Sequence, residues 1–232
     1  DPQARHAQDP MGVLDRAAGI VDHQPGLLDR LLESGATDVT VTLERVHDRL
    51  DAVVTYGAPV ETLAAIDPAG VVVNSFSKYF SMTGWRLGYG VWPKSLIEHA
   101  ERLQINSNSC ASAPVQRAGI AALRGPQDSV ERMLRAFDER RVAIVEGLNE
   151  IPGISCVLPQ GAFYAFPNIT GTGRTAKELQ NELLLDAGVA TVAGTAFGAF
   201  GEGYVRFSYA NSLERIEEAL ARVRTLLADK PR

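Results

Sequence analysis

Apolar and polar positions along the chain fall into alternating strand and helix rhythms. In Gly70 to Asn74, Val71, Val72 and Val73 form a continuous β-branched run, as expected of a buried strand with helices over both faces. Upstream, Val39, Val41 and Leu43 alternate with Thr40 and Thr42, which predicts a strand from Asp38 to Leu43. Leu87 to Trp92 is a third candidate, ended by Pro93. Longer helices follow. Pro114 suits a first helical turn ahead of Val115 to Leu123, and Gly125 with Pro126 stops that segment. From Ser129 to Glu150 the residues Val130, Leu134, Phe137, Ile144 and Leu148 fall near one helix face, interrupted by Arg141 and closed by Pro152 and Gly153.

Beyond Gly153 the elements shorten. Strands are expected around Ser155 to Leu158 and Phe163 to Phe166, then a helix opened by a Thr175/Glu178 capping box and carried by Leu179 and Leu183 to Gly188. Strands Val189 to Ala193 and Tyr204 to Tyr209 precede a last helix with Ile216, Leu220, Val223 and Leu227 on one stripe. This alternation predicts an α/β layered fold, with residues 1–153 as a larger domain including the long linking helix and residues 154–232 as a smaller α+β domain.

Composition narrows the function classes. The chain has 232 residues, 45% of them hydrophobic, enough for a real core. Lys plus Arg at 23 against Asp plus Glu at 28 gives a net charge of −5, so no basic field points to nucleic acid or to an anionic membrane. A small-molecule partner is expected instead. No apolar run approaches the roughly 20 residues that span a bilayer, and the opening DPQARHAQDP lacks the features of a signal peptide, so a cytoplasmic protein is expected. Its two cysteines, Cys110 and Cys156, fit a reducing compartment and no disulfide framework. His6, His23, His47 and His99 are scattered, and no metal site is expected. The first residue is Asp rather than Met, so a processed or truncated piece of a longer chain is expected.

The candidate chemistry follows the valine-rich strand, in Asn74-Ser75-Phe76-Ser77-Lys78-Tyr79-Phe80-Ser81-Met82-Thr83-Gly84-Trp85-Arg86-Leu87-Gly88. The carboxyl end of a strand is where open α/β sheets place ligands. Ser75 and Ser77 offer two hydroxyls to an anion, and Arg86 offers a planar fork suited to phosphate. A lysine near a second cation and partly desolvated is the type of amine that attacks a carbonyl to form a Schiff base, which nominates Lys78. Near the other end, alternation in Tyr204-Val205-Arg206-Phe207-Ser208-Tyr209 puts Val205, Phe207 and Tyr209 on one face and Arg206 on the other, among polar neighbours. An arginine held on a strand can grip a carboxylate with two parallel hydrogen bonds.

The run SFSKYFSMTGWRLGY resembles the lysine segment of the class I/II aminotransferases, pyridoxal-phosphate enzymes of fold type I. The resemblance implies that fold, with a mainly parallel sheet in the large domain, and pyridoxal 5'-phosphate as cofactor. It implies that Lys78 holds the cofactor as a Schiff base and that Ser75, Ser77 and Arg86 bind its phosphate. Gly194-Thr195-Ala196-Phe197-Gly198 and GEGYVRFSYA resemble the family's C-terminal signature, which implies that Arg206 binds the substrate α-carboxylate. Gly161-Ala162-Phe163-Tyr164 resembles its small-domain strand near the substrate. A homodimer acting on an amino acid and a 2-oxo acid is also implied.

Other parts depart from the family pattern. Asp9-Pro10-Met11-Gly12 stands where an Asn-Pro-x-Gly turn is sought. The acid that pairs with the pyridine nitrogen keeps the ring an electron sink. It falls on Asp48, thirty positions before Lys78 and in register with Tyr56-Gly57, or on Glu44, directly after the Val39 to Leu43 strand; Asp48 is favoured. Neither placement keeps the family's tyrosine: Asp51 occupies that slot in the first and His47 in the second. The family's glycine-containing phosphate loop and ring-stacking aromatic would precede Asp1. The primary expectation is an aminotransferase working through Lys78. Its rivals are a catalytically silent module kept for dimerisation or ligand binding, and a lyase of the same fold, since a fold does not fix which bond is cleaved.

Overall fold

The computed structural model describes residues 54–57 and 69–229, which belong to two compact units. One contains Pro59–Val130, and the other contains Thr55–Ala58 with Glu131–Arg232. The division falls after Val130, whereas the sequence suggests Gly153. The reason is that Ile144, Val145 and Leu148 of the long helix are buried in the core of the second unit. The expected strand at 38–43, the turn at 9–12, and both Asp48 and Glu44 lie outside the described residues.

In the first unit, β1 (Val72–Ser75) pairs antiparallel with β2 (Gly88–Val91), in a register that sets Val72 against Val91 and Ser75 against Gly88. Among the described residues this unit's strand pairing is antiparallel. Burial differs from expectation. The valine run of β1 is half-buried, and it is Gly88, Tyr89 and Gly90 of β2 that are enclosed. Gly88 is required here, because a Cβ would sit 2.9 Å from the Asn74 carbonyl oxygen across the ladder.

Helix α1 (Lys94–Asn108) begins directly after Pro93. Its hydrophobic pattern is weak because the buried positions are Ile97, Ala100 and Gln104, while Leu103 and Ile105 face solvent. Helix α2 (Ala113–Arg124) carries Pro114 in its first turn, as expected. Its Val115, Ala118, Ala122 and Leu123 pack against a core of Phe76, Met82, Leu87 and Tyr89.

The second unit takes most of α3 (Asp128–Asn149), followed by β3 (Tyr164–Ala165), α4 (Ala176–Leu185), β4 (Val192–Ala193), β5 (Val205–Ser208) and α5 (Leu213–Asp229). Its strands form an antiparallel sheet in the order β3-β5-β4. The expected strand at Ser155 to Leu158 shrinks to one bridge between Ser155 and Asn168. The Asn149 amide takes the place of a ladder there: its Oδ1 accepts from Cys156 N at 2.7 Å and its Nδ2 donates to Cys156 O at 2.9 Å. The Thr175/Glu178 capping box forms with both reciprocal bonds, and Leu179 and Leu183 are fully buried. In α5 the buried face is Ile216, Leu220, Val223 and Leu226, with Leu227 at its flank. No described helix is long and apolar enough to cross a membrane.

Candidate functional site

The candidate phosphate and amine groups issue from Ser75, the last residue of β1, and from the loop between β1 and β2. That loop is closed at its base, where Phe76 N donates to Leu87 O at 3.1 Å, and Met82 N reaches back to Phe76 O at 3.4 Å. Phe76, Met82 and Leu87 are its buried anchors, so the residues between them are held from below by apolar packing. Within it Ser81 N donates to Lys78 O at 3.1 Å, and a 3-10 turn covers Thr83–Trp85. Ser81 and Arg86 both adopt left-handed backbone, φ 54° and 52°. For non-glycine residues that conformation costs about 1 kcal/mol each, which the closed loop must over-determine.

Ser75 organises the hydroxyls. Its Oγ lies 2.9 Å from Ser77 Oγ, accepts from Ser77 N at 3.0 Å, and reaches Leu87 O at 3.4 Å. Ser75 N in turn donates to Asn74 Oδ1 at 2.8 Å. Lys78 follows immediately and is half-buried. Arg86 leaves the end of the loop exposed, with Nη1 donating to the Thr83 carbonyl at 3.0 Å rather than to either serine. Beside Arg86 is a cavity of about 200 Å³, bordered also by Trp85, Leu87, Gln104, Cys110 and Ser112. Lys78, Ser75 and Ser77 do not line it, so it is a separate feature of the Arg86 surface.

In the second unit, strand alternation places Arg206 as expected: Val205 and Phe207 are buried beneath β5 while Arg206 is half-buried on the opposite face. Its surroundings are not the polar ones expected. The Arg206 Cζ lies 4.3 Å from the centre of the Tyr164 ring and 4.5 Å from that of Phe197. The register explains Tyr164: it pairs with Ser208, two residues from Arg206 and therefore on the same face. Phe197 is delivered by the turn Gly194–Phe197, which lies against a second turn, Ala199–Gly201. The backbones meet so closely that a Cβ on Gly194 would fall 2.1 Å from the Gly201 carbonyl oxygen, which is why that signature opens on glycine.

Sequence reasoning missed a second polar centre in this unit. The Tyr56 and Tyr209 hydroxyls both donate to Ala162 O, at 2.7 and 3.0 Å, and lie 3.3 Å from one another. Burial pushes both phenols above their ordinary pKa, Tyr209 the further. The carbonyl they share belongs to a residue in left-handed conformation, φ 62°. Arg141, expected as a polar interruption of α3, lies over the Tyr56 ring at 4.3 Å and donates to Asp138 and to Pro159 O. The tyrosine pair spans more than 150 residues of chain, so only the fold reveals it.

Among the described residues, no group of three His, Cys, Asp or Glu is arranged to hold a metal ion. The loop's donor set does fit a phosphorylated aldehyde: two hydroxyls and a backbone-pinned guanidinium for the phosphate, and an amine for the carbonyl carbon.

A family model described as aminotransferase class I and II matches residues 46–223. A putative aminotransferase of Bacillus subtilis, YugH, is 41% identical over 193 residues, covering 82% of this chain and 49% of that protein. An aspartate aminotransferase of Pyrococcus horikoshii is 45% identical over 159 residues, 68% of this chain and 41% of that protein. The crystal structure of an aromatic aminotransferase from Pyrococcus horikoshii OT3 matches with a TM-score of 0.73 at 40% identity, over 76% of this chain and 48% of that one. The chain therefore spans about half the length of the relatives it matches.

Proposed function

The chain belongs to the class I and II aminotransferase family of fold type I, and from that premise we propose that it moves an amino group between an amino acid and a 2-oxo acid. The cofactor of this family is pyridoxal 5'-phosphate, which supplies an electron sink for the charge left at the substrate α-carbon. The observation that carries the reading is the closed loop in which Lys78 directly follows the paired hydroxyls of Ser75 and Ser77 and Arg86 ends the same segment.

Ser75, Ser77 and Arg86 would hold the phosphate by charge-assisted hydrogen bonds. Lys78 would hold the cofactor through its aldehyde carbon, and its amine would serve as the general acid and base that moves the proton at the substrate α-carbon. Arg206 takes the α-carboxylate, fixing the substrate so that the α C–H bond is oriented for that proton transfer. Asp48 is the proposed acid for the pyridine nitrogen, with Glu44 as the competing placement. The first unit would then be the cofactor-binding part and the second the part that grips substrate. A homodimer in a reducing, cytoplasmic compartment completes the proposal, supported by the family for the first and by the unpaired thiols Cys110 and Cys156 for the second.

Reconstitution with pyridoxal phosphate tests the reading. The bound cofactor should give a visible absorbance band that Lys78→Ala abolishes, together with amino transfer from a panel of amino acids to 2-oxo acids. An identical spectrum in the Lys78→Ala protein would refute the assignment.

A further inference from the structure

We propose that Tyr164 and Phe197 are positioning residues for Arg206, holding its guanidinium against two aromatic rings so that its N–H donors are aimed at a carboxylate before substrate arrives. The inference rests on the reading of Arg206 as the carboxylate site and adds to it how the grip is prepared. Arg206 is half-buried, and among the described residues neither a carboxylate nor a carbonyl takes a bond from it. Its contacts are instead the two rings, at 4.3 and 4.5 Å. A half-buried cation held by ring faces keeps its in-plane donors unspent.

The two rings come from different elements. Tyr164 belongs to β3, and Phe197 comes from the 3-10 turn set by the close Gly194–Gly201 approach. Phe197 is 51% exposed, far more than an apolar side chain kept for the core, yet its position is supported by further rings. Phe166 meets it edge-on at 6.0 Å, and Phe166 is itself stacked on Tyr204 at 5.4 Å with ring planes 6° apart. Tyr204 lies two residues before Arg206 on the same strand face. The aromatic row therefore begins beside the guanidinium at Phe197 and ends at Tyr204, next to the strand that carries Arg206. An arginine in water samples many rotamers, and each must be given up when a carboxylate binds. Rings that restrict the guanidinium beforehand lower that cost and act on binding more than on the chemical step.

The test uses succinate as a simple carboxylate probe, titrated by calorimetry into the cofactor-loaded protein, alongside KM and kcat for an amino donor. Phe197→Leu and Tyr164→Leu should each weaken succinate and raise KM by about 3- to 5-fold, with kcat and the cofactor spectrum unchanged. Tyr164→Phe, which keeps the ring, should retain wild-type affinity. The Arg206 Nε–H resonance, shifted by the rings, should move toward its free-arginine position in both leucine variants. Phe197 is half-exposed, so its leucine variant folds even if the Tyr164 variant does not. Leucine variants with wild-type succinate affinity, while Arg206→Ala loses binding, would overturn the positioning role alone. Undiminished binding in Arg206→Ala, or no binding of succinate to the wild type, would remove the carboxylate reading itself. A Tyr164→Phe protein as weak as Tyr164→Leu would assign the effect to the hydroxyl and also overturn the inference.

Discussion

Removing the Ser75 hydroxyl should weaken cofactor binding more than removing that of Ser77, although both are drawn as phosphate ligands. Ser77→Ala deletes one hydroxyl and leaves the Ser77 N–H bonded to Ser75 Oγ at 3.0 Å. A hydrogen bond to a charged group contributes about 1.5–3 kcal/mol, so the loss corresponds to roughly 10- to 150-fold in cofactor affinity. Ser75→Ala deletes a ligand of the same kind and two contacts that Ser77→Ala spares, the bond from Ser77 N and the reach to Leu87 O across the base of the loop; the 2.9 Å contact between the hydroxyls is lost in either variant. One net intramolecular hydrogen bond contributes about 1 kcal/mol, which adds about 5-fold. Because the first substitution already disorganises Ser77, the double variant should cost less than the product of the single effects. Absorbance titration with pyridoxal phosphate measures all three constants, with thermal melting of the apoprotein to confirm that each variant folds. A Ser77→Ala effect equal to or larger than that of Ser75→Ala, or strict additivity, would refute the role of Ser75 as organiser of the pair.

Two further outcomes concern stability of the second unit. Burial raises the Tyr56 and Tyr209 phenols in the folded state, so the unfolded chain loses their protons first once pH passes the ordinary tyrosine value near 10. Their contribution is complete below that pH and falls above it, by up to about 1.4 kcal/mol per pH unit for each phenol; urea unfolding between pH 9 and 11 should show the slope, and Tyr209→Phe should reduce it. Glu182 Oε2 lies 2.7 Å from Nε of Arg174, whose side chain is 2% exposed, so Glu182→Ala leaves a buried cation and should cost about 3 kcal/mol by urea denaturation at neutral pH. A loss below about 1 kcal/mol would show that the remaining bonds of Arg174, that to the Thr172 carbonyl among them, are sufficient.

The helices were legible where burial follows spacing and obscure where it does not. α3, α4 and α5 bury regular stripes, and their limits fall within a few residues of those drawn from apolar periodicity and from the Thr175/Glu178 box. α1 was not legible because Gln104 occupies a buried position while Leu103 and Ile105 take exposed ones, which reverses the usual signal. The strand expected at Ser155 to Leu158 failed for another reason. Apolar residues there suggested a ladder, but Val157 is 89% exposed and the Asn149 side chain meets the backbone needs of Cys156. A single polar side chain thus replaced the pairing that the hydrophobic pattern implied, and no periodicity records such a substitution.

The candidate residues of the two units differ in the same way, and the difference carries a consequence for function. Ser75, Ser77, Lys78 and Arg86 lie within one short segment, the end of β1 and the loop after it, whose closure depends on residues inside it, so spacing along the chain is enough to nominate them together. Arg206 acquires its environment from Tyr164 and Phe197, which arrive through strand register and through a glycine-to-glycine backbone contact. Alternation gave the face of Arg206 but supplied the wrong neighbours, because polar sequence neighbours are not the spatial ones. Substitutions inside the loop should therefore act on cofactor affinity as a group and show coupling to one another. Those around Arg206 should leave cofactor affinity unchanged and appear in the substrate KM, since Tyr164 and Phe197 act on the Arg206 guanidinium.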